Sequence, residues 1–193
     1  MTLALDVAIL LPAEARAVAE RLNRRFDSTG GRGFRFDASH HPHITLSQHF
    51  VPRERLHDVR ARVHEIVPWF KPFQVQVIGT RRGRSAQVLV VTPSVDLQRL
   101  HERLMATLEP YEISTGDMDA FQGGEETPRP SDLAWVASFR EHSSYRHYAP
   151  HITVAIGSDP VTVEPFTFTA SEVALCRLGR YCTCRDRLAS WPL

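Results

Sequence analysis

The sequence predicts an α+β fold made of two related lobes that face each other across a pseudo-twofold axis. The tetrapeptide Pro-His-Ile-Thr occurs twice, at residues 42–45 and 150–153, followed by Leu46 in one copy and Val154 in the other. A strand ending in proline twice precedes a helix carrying Glu-Arg-Leu, with Pro12 before Glu20-Arg21-Leu22 and Pro93 before Glu102-Arg103-Leu104. Each motif histidine is also followed nine residues later by proline, Pro52 or Pro160. From Pro12 to His43 is 31 positions and from Pro93 to His151 is 58, so the second half carries 27 extra residues. We therefore read residues 1–193 as one bilobal domain, with approximate repeats 1–70 and 71–193 and an insertion loop at 110–131.

The elements follow in order. Residues 3–11 form a first strand, and Pro12 opens a helix with Val18, Leu22 and Phe26 at helical spacing. Ser28, Gly30 and Gly31 mark a turn over 27–33, and the first His strand runs over about 43–50. Pro52 begins a second helix with Leu56, Val59, Val63 and Ile66 on one face. Strands at about 73–79 and 86–92 are joined by the basic turn Arg81-Arg82-Gly83-Arg84, a solvated hairpin tip. Pro93 opens a helix with the stripe Leu97, Leu100, Leu104 and Leu108. The proline- and glycine-rich stretch 110–131 carries Asp117, Asp119, Glu125 and Glu126, so its charge suits a lid or inert insertion better than a phosphate cradle. A helix over 132–142, the second His strand at 151–156 and one or two strands from 167 onward complete the chain.

Composition excludes several classes. An apolar share of 42% with 23% charged residues is that of an ordinary globular domain, and a net charge of +1 offers no bulk attraction to nucleic acid. Phosphate affinity must then be local; the basic residues are almost all arginine, Lys71 being the only lysine. The apolar start, residues 1–12, lacks a basic leader and contains Asp6, so it reads as a strand rather than a signal peptide. No apolar run reaches the roughly 20 residues of a membrane span. Three cysteines, Cys176, Cys182 and Cys184, argue against a disulfide framework and for a reducing compartment, the cytoplasm. Cys182-Thr183-Cys184 has too few ligands for a closed zinc site and reads as part of a packed terminal strand.

Side chains alternate along a strand, so His43 and Thr45 share one face while Ile44 and Leu46 share the other, and His151 and Thr153 repeat the pattern. Two strands can thus bury their aliphatic pairs and present two imidazoles and two hydroxyls to one cleft. That set suits in-line attack on a phosphodiester. One His removes a proton, the other donates one, and the hydroxyls hold phosphate oxygens. His40, His41 and His43 raise a metal site, but His-x-His at a strand end belongs to a barrel of about 250 residues, longer than this chain. We expect no metal and no cofactor. His40 and His41 are read as loop residues, His49 as sharing the face of His43 if the strand extends that far but passing the cleft edge, His147 likewise, and His57, His64, His101 and His142 as surface or boundary residues on helices. Phe50 and Tyr148 are the nearest aromatic candidates for base stacking, and Arg146 for a further phosphate contact.

Paired His-aliphatic-Thr-aliphatic motifs about a hundred residues apart, in a chain of this length, resemble the two-histidine (2H) phosphoesterase superfamily. The similarity is greatest to its bacterial RNA 2',3'-cyclic phosphodiesterase and 2'-5' RNA ligase branch. The resemblance spans nearly the whole chain. It implies a bilobal α+β fold with two antiparallel sheets lining a central cleft, helices outside, and metal-independent chemistry. His43 and His151 match the catalytic histidines, and Thr45 and Thr153 the phosphate-holding hydroxyls; which His is base and which acid is left open. The expected function is a monomeric enzyme opening 2',3'-cyclic phosphates of RNA ends or nucleotides to 2'-phosphates, with reversible 2'-5' ligation as a side activity. The alternative is a noncatalytic RNA- or nucleotide-binding module using the same cleft.

Overall fold

In the computed structural model the described residues are 1–26, 33–83, 86–122, 127–157 and 161–193. The expected turn at 27–32, Arg84 of the basic turn, residues 123–126 of the acidic loop and Pro160 lie outside them. The elements are β1 (Thr2–Leu10), α1 (Ala13–Asn23), β2 (His43–Pro52), α2 (Leu56–Ile66), β3 (Phe73–Arg82), β4 (Ala86–Val91), α3 (Val95–Leu108), α4 (Pro130–His142), β5 (His151–Ile156), β6 (Phe166–Ala170), β7 (Glu172–Leu178) and β8 (Cys184–Pro192). They form two four-stranded antiparallel sheets, β2-β1-β7-β8 and β5-β4-β3-β6. The two motif strands β2 and β5 thus occupy the corresponding edge of each sheet.

The burial pattern explains the layers. Leu3, Leu5, Val7 and Ile9 of β1 join Ala15, Ala19 and Leu22 of α1, Val59 and Val63 of α2, and the predicted leucine stripe of α3 in one core that also takes Ile152, Val154 and Phe168 from the second sheet. One core therefore serves both lobes. The α3 start is capped by Ser94, whose hydroxyl accepts from the Leu97 amide at 3.2 Å. The alternate positions of β1 face the other way. Ala4 packs with Phe50, Phe121, Val136 and Leu178, and Ala8 with Ala174, Cys176 and Cys184, so α4 lies against the cleft-side face of the first sheet.

Three expectations need correction. The chain beyond residue 166 holds three strands rather than one or two. β6 pairs with β3 and β7 with β1, so the chain passes from the second sheet to the first at Ser171. The lobes accordingly do not divide the chain at residue 70, because β7 and β8 return to the first sheet. The described part of the expected insertion loop up to Gln122 is tied to the first sheet rather than free. Ile113 donates its amide to Phe50 at 2.9 Å and Gln122 to Leu178 at 2.6 Å. Arg177 donates to the carbonyls of Ala120 (3.0 Å) and Asp119 (2.6 Å). Gly116 lies so close to Phe50 that a Cβ there would sit 2.4 Å from the ring, which fixes glycine at that position.

Candidate active site

Both motif strands carry a β-bulge at the same place. In the first sheet Leu10, Ile9 and Ala8 face His43, Ile44 and Thr45, and the register then slips so that Val7 meets Ser47, leaving Leu46 as the extra residue. In the second sheet Val90, Leu89 and Val88 face His151, Ile152 and Thr153, and Gln87 then meets Ala155, leaving Val154. A bulge kinks the strand and strips a peptide of its ladder partner. A carbonyl so exposed in the interior needs another donor. Buried Asn23, at the end of α1, donates to the Val154 carbonyl at 2.8 Å. His101 of α3 donates Nδ1–H to the Leu46 carbonyl at 2.6 Å. Each helix thus braces the bulge of the opposite lobe's motif strand.

The same geometry recurs at the imidazoles. His43 Nδ1 donates to the His41 carbonyl and His151 Nδ1 to the Ala149 carbonyl, both at 2.8 Å and both two residues back. Each bond assigns the hydrogen to Nδ1 in the neutral ring and leaves Nε2 as the nitrogen available for proton transfer. Tyr148 joins the two motifs, its hydroxyl donating to the Thr45 carbonyl at 2.8 Å.

Past the bulge, Gln48 pairs with Asp6, on the cleft face. Asp6 is fully buried, and its Oδ2 accepts from the Thr45 hydroxyl at 2.8 Å and the Gln48 amide at 2.8 Å, with His43 Nε2 at 3.4 Å. The corresponding pair in the second sheet is Ala86 with Ile156, so no carboxylate stands at that position. Thr153 makes no hydrogen bond through its hydroxyl among the described residues. Burial lowers the pKa of His43, but hydrogen bonding and charge attraction from Asp6, with the His41 carbonyl, outweigh it and the net shift is upward. His151 moves down. Burial dominates, the Ala149 carbonyl offsets part of it, and the charges of His43 and Arg81 add to the fall.

Asp6, His43 and Cys184 bring one donor atom each within 4.8 Å, the one group among the described residues able to hold a metal ion. Asp6 Oδ2 is already engaged there, and burial holds the Cys184 thiol well above its usual pKa, with Cys176 and Asp6 adding to the rise. All three cysteines are free.

Several sequence assignments change. Phe50 is no stacking platform, being 1% exposed and packed edge-on to Phe121 with ring centroids 6.0 Å apart. Tyr148 is a brace, with one ring face covered by His101 at 3.8 Å. Arg146 is exposed and donates to His147 at 3.0 Å. His49 does not share the face of His43, because the bulge inverts the alternation and pairs it with Leu5; it is buried 3.4 Å from Glu112. His101, expected at the surface, is fully buried, its Nε2 accepting from the Tyr145 amide at 2.8 Å. Asp6, Gln48, Asn23 and His101 escape sequence reasoning. For Asp6 a signal exists, a carboxylate in an otherwise apolar strand.

Comparison with known proteins agrees with this geometry. The model of the 2'-5' RNA ligase superfamily matches residues 11–180. Among curated proteins no sequence matches. Among solved structures, TT0787 of Thermus thermophilus superposes with a TM-score of 0.64 at 21% identity, covering 99% of this chain and 98% of that one. E. coli LigT complexed with NADP+ gives 0.62 at 21%, covering 100% and 99%. The LigT complex with 3'-AMP gives 0.62 at 22%, again covering 100% and 99%. No helix of the described residues is long and apolar enough to cross a membrane. With the family model spanning most of its length and a matched pair of His-Ile-Thr strands at its cleft, the chain belongs to the 2'-5' RNA ligase superfamily of two-histidine phosphoesterases.

Proposed function

We propose that the protein is a metal-independent cyclic phosphodiesterase that opens 2',3'-cyclic phosphates of RNA ends or nucleotides to 2'-phosphates. The observation that carries this reading is the pair of imidazoles held alike through Nδ1, of which, among the described residues, only His43 has a carboxylate beside Nε2. In the resting enzyme His43 carries the proton and His151 is neutral. Neutral His151 Nε2 takes a proton from water as its oxygen attacks phosphorus. The P–O3' bond breaks in line, and protonated His43 gives its proton to O3', so the imidazoles exchange protonation states and one proton must return before the next turnover. The Thr153 hydroxyl donates to a nonbridging oxygen. Thr45 has a single hydroxyl hydrogen, and Asp6 holds it, so Thr45 serves phosphate only by turning away from the carboxylate. In the ligation direction a 5'-hydroxyl takes the place of water and the two roles stay as they are; they reverse when a 2'-5' linkage is cleaved back to the cyclic phosphate. Similarity to LigT, whose structures include complexes with 3'-AMP and ATP, supports a nucleotide ligand.

The experiment is a substrate panel of 2',3'-cyclic nucleotides, cyclic-ended RNA and 2'-5' dinucleotides, run with excess chelator. Turnover of the cyclic substrates to 2'-phosphates is expected. Binding without turnover would favour the noncatalytic module, and activity restored only by a stoichiometric divalent ion would overturn the mechanism.

A further inference from the structure

We propose that the open face of Trp135 is the nucleobase subsite of this cleft, so that the enzyme selects nucleotides over bare sugar phosphates; the inference rests on the phosphoesterase reading of the same cleft. The large apolar side chains left exposed are Met1, Trp69, Ile78, Val95, Ile113 and Trp135. Of these only Trp135 is hydrogen-bonded to the network around His43 among the described residues. Its indole N–H donates to Gln48 Oε1 at 3.0 Å, and Gln48 donates in turn to Asp6 Oδ2 at 2.8 Å and Thr45 Oγ1 at 3.3 Å. Two residues therefore separate the indole from His43.

Helix packing leaves the ring where a base can reach it. Val136 and Phe139 of α4 are buried, Val136 against Ala4, Phe50 and Leu178 on the cleft side of the first sheet, while Trp135 stays 44% exposed. The N–H bond fixes one edge of the indole, so the ring is ordered before any ligand arrives and little side-chain freedom remains to be lost on stacking. Of the two aromatic candidates the sequence offers, Phe50 packs against Phe121 and Tyr148 has one ring face against His101. A nucleobase offers a π-face whatever its hydrogen-bonding edge, so stacking on Trp135 favours any base over none and discriminates weakly among bases.

The test is calorimetric binding of adenosine 2'-monophosphate and of methyl riboside 2-phosphate, which lacks the base, to the full chain and to Trp135→Ala and Trp135→Phe. The wild type should bind the nucleotide about 5- to 150-fold more tightly than the baseless ligand, the range for one stacked base. Trp135→Ala should bring the nucleotide down to the baseless level without changing the baseless affinity, and Trp135→Phe should restore most of the difference. Equal affinity for the two ligands in the wild type, no binding of either, or an alanine variant that weakens both alike or neither would overturn the proposal. Turnover of the matching 2',3'-cyclic compounds is measured separately. Base discrimination without turnover would sink the phosphoesterase reading and leave the subsite standing, whereas turnover without discrimination would do the reverse.

Discussion

His43 and His151 sit on strands that share a sheet position, a bulge and an Nδ1 bond to a carbonyl two residues back, yet among the described residues only His43 has a carboxylate beside it. The difference lies one strand away, where Asp6 of the first sheet corresponds to Ala86 of the second. A duplicated frame places two identical groups, and the carboxylate beside one of them shifts its pKa upward while burial shifts that of the other downward. That separation suits acid–base catalysis, which needs one imidazole charged and one neutral at the same pH. The cost is that Asp6 also holds the Thr45 hydroxyl, which leaves the two threonines unequal as well.

The largest expected effect breaks both sides. His43→Ala and His151→Ala should each lower kcat/KM on a 2',3'-cyclic nucleotide by about 10²-fold or more, with near-native circular dichroism, because Ile44 and Ile152 supply the core contacts. The double variant should fall far less than the product of the singles, since the pair acts as a unit. Near wild-type turnover in either folded single variant removes that residue from the chemistry.

The threonines sharpen the comparison at smaller scale. Thr153→Val should cost on the order of tenfold in kcat/KM, one hydrogen bond's worth, and Thr45→Val less, because the Thr45 proton is already given to Asp6. Steady-state kinetics of the two variants decides it; a larger loss at Thr45 would mean that its hydroxyl leaves Asp6 for phosphate. Asn23→Ala tests the brace instead of the chemistry. It deserts the carbonyls of Val154 and Phe34 in a buried site and should lower unfolding free energy by about 1–3 kcal/mol in a denaturant titration. An unchanged midpoint would show that the bulge carbonyl finds another donor. Exhaustive chelation should do least of all, leaving the rate unaltered.

Much of this is legible in the residues. Strand alternation alone puts His43, Thr45, His151 and Thr153 on one side and their aliphatic neighbours on the other, and the proline punctuation locates α1, α2 and α3. The failures share a cause. A bulge shifts the two-residue period by one, and no local pattern announces it, so alternation carries His49 to the wrong face and passes over Gln48. His101 reads as a surface or boundary residue and Asn23 gives no signal, because their partners, the bulge carbonyls, lie 55 and 131 positions away. The crossing at Ser171 is hidden for a related reason. Residues 167–178 read as one strand or two, and pairing with β3 and β1 divides them.

Asp6 is what separates the two imidazoles, and the measurement that reaches its role most directly is the pH dependence of kcat/KM for the wild type and Asp6→Asn, from about pH 5 to 9. The wild-type profile should be a bell. Its rising limb follows deprotonation of His151, shifted below the usual imidazole value, and its falling limb follows loss of the proton from His43, shifted above it. Removing the carboxylate charge should move the falling limb to lower pH and narrow the bell while the rising limb stays in place. A falling limb that does not move, or a rising limb that moves instead, would contradict the assignment of His43 as the charged partner.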